Sequence, residues 1–305
     1  MREFCTQLRK AELHVHLEGS VEPETLREMH PEIAVEEIRR RYHHTDFAGF
    51  IQSYVWVNRL LQTPEHYGLI TRRLLERLAA ENVGYAEINL SVGVILWKEQ
   101  DFYGIFRAVS EAAAMSPVDV YWNFDAVRQF GAEPAQKVAE LAVELQDENV
   151  VAFGIGGDEI AGPAGWFQHV FAWTLDKGLA IVPHAGESEG PDSVWACINM
   201  GARRIGHGFR AAEDPELVDL LCERQIALEI CLTSNVKTGS IPSLAEHPVR
   251  KLFDAGVPIT LNTDDPALFE TTLSREFEIA AETFGFTKDE LQIVAENAFR
   301  HRLGA

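Results

Sequence analysis

Short runs rich in β-branched and aromatic residues alternate with longer amphipathic stretches along the whole chain. Runs at 11–16, 85–92, 118–127, 150–157, 179–184, 204–207, 227–232 and 258–264 read as strands. Between most of them lie stretches such as 134–146, 216–223 and 248–255, whose apolar residues recur at i, i+3 and i+4 and predict helices. Eight such βα units predict the α/β class and a (β/α)8 TIM-type barrel, with a parallel sheet buried on both faces. A doubly wound open sheet shares the same alternation. The connection between the first two strands, residues 19–84, is far longer than a usual βα loop. Within it, "HHTDFAGFIQSYVWVNRLLQTPEHY" is aromatic-rich and reads as helical. In a barrel, the loops after the strands build the active-site face, so this helical insertion is placed as a substrate lid. The plainer alternative is a satellite hydrophobic cluster. With no repeat, low-complexity tract or linker, the expectation is a single domain over 1–305.

Composition narrows the partners. A net charge of −20, from 27 Lys and Arg against 47 Asp and Glu, gives no basic footprint for nucleic acid and no basic face for a membrane surface. That leaves small molecules or proteins. Cys5, Cys197, Cys222 and Cys231 form no CxxC pair, so reduced thiols are expected and not a disulfide framework. No signal peptide and no membrane-length apolar run is found, and the expectation is a cytoplasmic protein. The sequence assigns no oligomeric state.

Unusual polar residues gather at the C-terminal ends of the predicted strands. His14 and His16 are separated by one residue on the first run, so both rings project from one face of a strand. Gly157, Asp158 and Glu159 follow the fourth run, and His184 ends the fifth with Glu187 one turn beyond. His207 ends the sixth, Ser234 and Asn235 follow the seventh, and Asp264 and Asp265 end the eighth. Each alone reads as a turn or polar surface, but barrel strand ends converge on one pocket. His14, His16, His184 and Asp264 form a three-histidine, one-carboxylate set suited to one zinc ion, which would acidify a water. Glu187 is placed to hold a proton, given a raised pKa, and His207 to orient or deprotonate the attacking water.

The stretches "HVHLEGS", "GGDE", "HAGE", "RIGHG", "TSN" and "LNTDDP" resemble the adenosine deaminase family of the amidohydrolase-like barrels, in the family's order and over nearly the whole chain. The resemblance implies zinc ligands His14, His16, His184 and Asp264, one ion per chain. It further implies Glu187 as proton donor to N1 of a 6-aminopurine, and His207 beside the attacking hydroxide. Asp265 would bond N7, and the Gly157 amide would bond N3. The implied reaction adds zinc-bound hydroxide to C6 and releases ammonia. The fourth strand ends without the bridging lysine of binuclear relatives, which favours one metal. Glu18 stands where adenosine deaminases usually carry Asp, and Leu232 where a proline is common. With Phe50 and Trp56 in the insertion, the pattern is most similar to the aminodeoxyfutalosine deaminase branch. The implied substrate is then 6-amino-6-deoxyfutalosine, converted to futalosine in menaquinone biosynthesis, with Glu18, Phe50 and Trp56 toward the ribose and 5′ group. Arg59 is the expected cationic partner for the benzoate. Adenosine or adenine is the alternative substrate. A two-metal hydrolase of amides or phosphoesters and a non-catalytic purine binder are the readings outside this class.

Overall fold

A computed structural model describes residues 1–304. Nine parallel strand segments occupy eight barrel positions: β1 (Lys10–His16), β2 (Val83–Leu90), β3 (Asp119–Val127), β4 (Val150–Gly156), β5 (Ala180–Ile181), β6 (His184–Ala185), β7 (Arg204–His207), β8 (Ala227–Ile230) and β9 (Ile259–Leu261). They pair in sequence order as two arcs, β1 to β5 and β6 to β9. β5 and β6 are two halves of one strand position, broken where Pro183 has no N–H to give the ladder. Backbone bonds continue across the break: Val182 N donates to Phe153 O at 3.0 Å, and Gly206 N to Pro183 O at 3.0 Å. At the other seam, Val15 and Asp264 form a parallel bridge. There Asp264 N donates to His14 O at 2.9 Å and His16 N to Asp264 O at 2.7 Å. The expected (β/α)8 barrel is the observed one, and the open sheet is excluded by this seam.

All eight expected strands are present, several ending earlier than the apolar runs. Residues 92 and 232 already belong to helices Val92–Trp97 and Leu232–Lys237. The long first connection holds helices Pro23–Met29, Val35–Tyr42, Phe47–Leu60 and Pro64–Ala80. Asp46 caps the third of these by accepting from Gly49 N at 2.8 Å. The fourth begins with Pro64 after a Thr63 cap, packs on helix Phe102–Ala114 and so joins the outer ring. The first three are what the chain adds to a plain barrel.

Inside the barrel, below the strand ends, lies a buried charged layer. Arg204 bonds Glu87, donates from Nε to Glu229 Oε1 at 2.5 Å, and donates to His301 O at 2.7 Å. Tyr85 Oη and Leu303 N donate to Glu87 at 2.7 and 2.6 Å. An ion pair out of water is tolerable only when its lone pairs and protons are used up like this.

Candidate active site

Five side chains from four barrel positions meet at the C-terminal mouth. His14 Nε2 lies 3.5 Å from Asp264 Oδ1, His16 Nε2 lies 3.4 Å from the same oxygen, and His16 Nε2 lies 3.1 Å from His184 Nε2. Ligand atoms of His14, His184, His207 and Asp264 all fall within 4.8 Å of one another. His207 therefore stands inside the cluster with the four ligands expected from sequence, and not merely beside it. His207 (φ 59°) and Asp264 (φ 62°) both occupy the left-handed region, a conformation that non-glycine residues hold only when their surroundings force it.

The donor set fits a metal ion. Nitrogens and oxygens about 2.0–2.1 Å from a tetrahedral zinc stand roughly 3.3 Å apart, close to the separations above. His14 Nε2 is buried with no hydrogen-bond partner. The other nitrogen of His14 bonds Glu229 Oε2 at 2.7 Å, and His184 Nδ1 bonds Ile155 O at 3.0 Å. Both acceptors hold the proton on Nδ1 and leave Nε2 bare, as a ligating imidazole requires. Ser234 Oγ donates to Asp264 Oδ2 at 2.6 Å, turning Oδ1 toward the histidines.

Electrostatics agree. Burial lowers the pKa of His16 to about 3 and that of His207 to about 4, and pushes His184 well below its usual value, so these rings are neutral. Asp264 is held well below the usual carboxylate range: burial opposes this, but the close imidazoles, His14 first, outweigh it. Burial also lowers His14, yet Asp264 and Glu229 outweigh it and raise His14 well above normal. A proton there satisfies the carboxylates that a divalent cation would satisfy instead.

Glu187 lies above this cluster with Oε2 3.7 Å from His207 Nε2. Burial, then the charges of Asp264 and Glu159, push its pKa up to about 8, so it is a neutral proton donor at pH 7. Its loop is held by Glu159, whose carboxylate accepts from the backbone N–H groups of Gly186, Glu187 and Ser188 at 3.0, 2.8 and 2.9 Å. Asp158 accepts from Ile160 N and Ala161 N at 2.9 and 3.1 Å, so it shapes the turn. Asp265 has a buried, unpartnered Oδ1, and its pKa is raised well above normal by burial and the neighbouring Asp264 charge. Gly19 makes room for it, since a Cβ at that position would lie 1.6 Å from Asp265 Oδ1.

From the cluster a cleft of about 250 Å³ opens to solvent. Glu187, Asp265, Gly157, His16, His184 and His207 form its floor, and Phe47, Phe50, Tyr54, Val127 and Phe130 its apolar wall. Three residues expected near the substrate lie outside this lining. Trp56 packs on Tyr42 and under the Arg41 guanidinium, away from the cleft. Glu18 lies behind Ser91, accepting its N–H at 3.1 Å, and contributes nothing to the wall. Arg59 is exposed and outside the lining, which among the described residues includes no lysine or arginine. Asp125 and Gln129 on the wall escaped sequence reading, as did the apolar Val127 and Phe130. Asp125 lies near the C-terminal end of β3, where the strand-end rule points, and burial raises its pKa to about 7.

The family described as "Adenosine deaminase" matches residues 9–303. Among curated relatives, aminodeoxyfutalosine deaminase of Streptomyces avermitilis is 37% identical, covering 98% of this chain and 87% of that protein. Adenine deaminase of Rhizobium leguminosarum bv. trifolii is 35% identical, covering 95% and 93%. The crystal structure of adenine deaminase from Arthrobacter aurescens superposes with a TM-score of 0.90 at 26% identity, covering 98% and 94%. Matched along almost its whole length, and with a buried imidazole–carboxylate cluster beside a neutral glutamic acid, the chain belongs to the adenosine deaminase family, as a metal-dependent hydrolytic deaminase.

Proposed function

We propose that this enzyme deaminates a 6-aminopurine nucleoside carrying a bulky, benzoate-bearing 5′ substituent, namely 6-amino-6-deoxyfutalosine, giving futalosine and ammonia in menaquinone biosynthesis in the cytoplasm. The observation that carries the reading is the union of the proton-handling floor with the aromatic wall of Phe47, Phe50, Tyr54 and Phe130. A purine alone leaves that wall unused, whereas a benzoyl group on the 5′ side packs against it. Among the curated relatives, those named aminodeoxyfutalosine deaminase support this choice, while those named adenine deaminase support the runner-up.

His14, His16, His184 and Asp264 would hold one zinc ion. Bound there, the ion lowers the pKa of a water and supplies a nucleophile near neutral pH. Glu187 donates its carboxyl proton to N1, which drains electron density from the ring and makes C6 electrophilic. Asp265, protonated through its raised pKa, donates to N7 and fixes the ring face presented to the water. The Gly157 amide bonds N3. Water adds its oxygen at C6; one of its protons returns to the Glu187 carboxylate and the other passes to the amino nitrogen. The C6–amino bond then breaks to release ammonia and leave a C6 carbonyl, with the proton kept on N1. Helices Pro23–Met29, Val35–Tyr42 and Phe47–Leu60 act as the lid of a single barrel domain.

The missing cation in the wall carries a second reading. The benzoate must stay hydrated at the open mouth, whereas a neutral substituent such as methylthio has no such requirement. Ammonia release with zinc-loaded enzyme, compared as kcat/KM across aminodeoxyfutalosine, 5′-methylthioadenosine, adenosine and adenine, decides between them. A preference of about tenfold or more for aminodeoxyfutalosine, about 1.4 kcal/mol, supports the proposal. Equal or better turnover of the others overturns it.

A further inference from the structure

His207 raises a question that the proposed mechanism leaves open, because it sits among the ligand atoms yet needs a distinct role. The answer lies two residues away from it in space. Val249 N donates to His247 Nδ1 at 3.1 Å. A backbone N–H only donates, so Nδ1 of His247 carries a lone pair. His247 is buried among Phe209 and Phe284, and burial lowers its pKa to about 3, so the ring is neutral and its one proton is on Nε2. That nitrogen is 3.2 Å from Asn235 Oδ1, which must then be the acceptor. The same choice orients the amide and places Nδ2, two donors, 3.1 Å from His207 Nδ1. His207 therefore accepts at Nδ1 and carries its proton at Nε2, the atom facing Glu187.

We infer that His247 is a positioning residue: through Asn235 it locks His207 in the Nε2–H form, which makes His207 a hydrogen-bond donor to the reacting oxygen and withholds it from the metal. The arrangement is opposite to that of His14 and His184, whose Nδ1 atoms face acceptors and whose Nε2 atoms are bare. One backbone N–H at the start of helix Val249–Asp254 thus sets which nitrogen of His207 carries the proton, while Glu229 and the Ile155 carbonyl set those of His14 and His184. The inference rests on the proposed placement of the reacting water beside His207, but its first test does not.

The experiment is long-range 1H–15N correlation of histidine-labelled, zinc-loaded full-length enzyme, with His207 assigned by loss of its signals in His207→Gln. The expected spectrum shows His207 with a protonated Nε2 and an unprotonated Nδ1. Asn235→Asp, which accepts where the amide donates, should move that proton to Nδ1. His247→Leu should lower kcat about 10–100-fold with KM within about twofold and one metal per chain, and His247→Gln, which keeps a donor to Asn235, should recover most of it. An Nδ1–H or metal-bound His207 in the wild type overturns the inference, as does an unchanged spectrum in Asn235→Asp. If His247→Leu does not fold, those two spectra still decide. Should none of the aminopurines turn over while His207 shows the Nε2–H form, the functional reading fails and the locking by His247 stands.

Discussion

Replacing Glu229 with Gln tests how the barrel's interior prepares the metal site. Glu229 accepts from His14 Nδ1 at 2.7 Å and from Arg204 Nε at 2.5 Å, and all three side chains are buried. A glutamine offers one acceptor and one donor. Arg204 has only donors, so the amide oxygen must face it, and the amino group is left facing His14 Nδ1. His14 then has to accept there and move its proton to Nε2, the nitrogen 3.5 Å from Asp264 Oδ1. A protonated nitrogen cannot ligate. The loss expected for such a partner is about 10–100-fold in metal affinity, or roughly 1.4–2.7 kcal/mol. Arg204 keeps Glu87 and the His301 carbonyl, so the metal-free protein should lose less than the roughly 3–5 kcal/mol of a fully broken buried pair. Competition with a chromophoric chelator gives the zinc Kd, and urea unfolding with and without zinc gives the metal-linked stability. A folded Glu229→Gln protein that binds zinc within about twofold of wild type would refute the reasoning.

Other substitutions probe the floor and wall of the cleft. Glu187→Gln should lower kcat by roughly 10²–10⁴ with zinc still bound, measured by ammonia release and metal analysis. Because Glu187 acts protonated and its pKa is raised to about 8, kcat/KM should hold below that pH and fall about tenfold per unit above it. A bound divalent cation draws that midpoint lower, and the limb should be missing from the residual activity of Glu187→Gln. Gly19→Ala places a Cβ 1.6 Å from Asp265 Oδ1, so the carboxyl must move; kcat/KM should fall about 100-fold at unchanged zinc content. Phe50→Ala should cost about 3–5 kcal/mol of stability at most. It should also lower kcat/KM roughly tenfold for aminodeoxyfutalosine while leaving free adenine within about twofold.

The eight strands were legible because each is a compact apolar run punctuated by polar residues, and the convergence of His14, His16, His184, His207, Asp264 and Asp265 followed from that alone. The helical insertion is less legible, because as a block its aromatic content does not say which side chains face the cleft. Within helix Phe47–Leu60, Tyr54 is about 40° around the axis from Phe50, and both face the cleft. Trp56 is rotated by about 240° and Arg59 by about 180° from Phe50, which points both elsewhere. Periodicity applied inside the insertion would have separated them. Charges within strand runs carry a similar signal: Arg204 opens β7 and Glu229 lies inside β8, in buried, mostly apolar runs, where a charge persists only if paired. His247 gave no such sign. It lies in the segment after β8, far from any strand end, and acts through Asn235 by geometry that exists only in the folded chain.

The positive φ of Asp264 links the fold to the chemistry. Its backbone N–H and carbonyl bond His14 O and His16 N, closing the barrel between the last strand and the first. That closure sets its carboxylate Oδ1 3.5 and 3.4 Å from the two β1 histidines. A strained conformation costs on the order of 1–3 kcal/mol and needs surroundings that over-determine it. Here the seam supplies two backbone bonds and Ser234 a third contact at Oδ2. Closing the barrel and gathering three of the four proposed ligands are therefore one event, and a divalent ion bound across them adds a cross-link between the chain's first and last strands. On this view, metal removal should loosen the Val15–Asp264 seam before any other strand pairing, read as loss of hydrogen-exchange protection at the His16 and Asp264 amides while those of β2 and β3 stay protected.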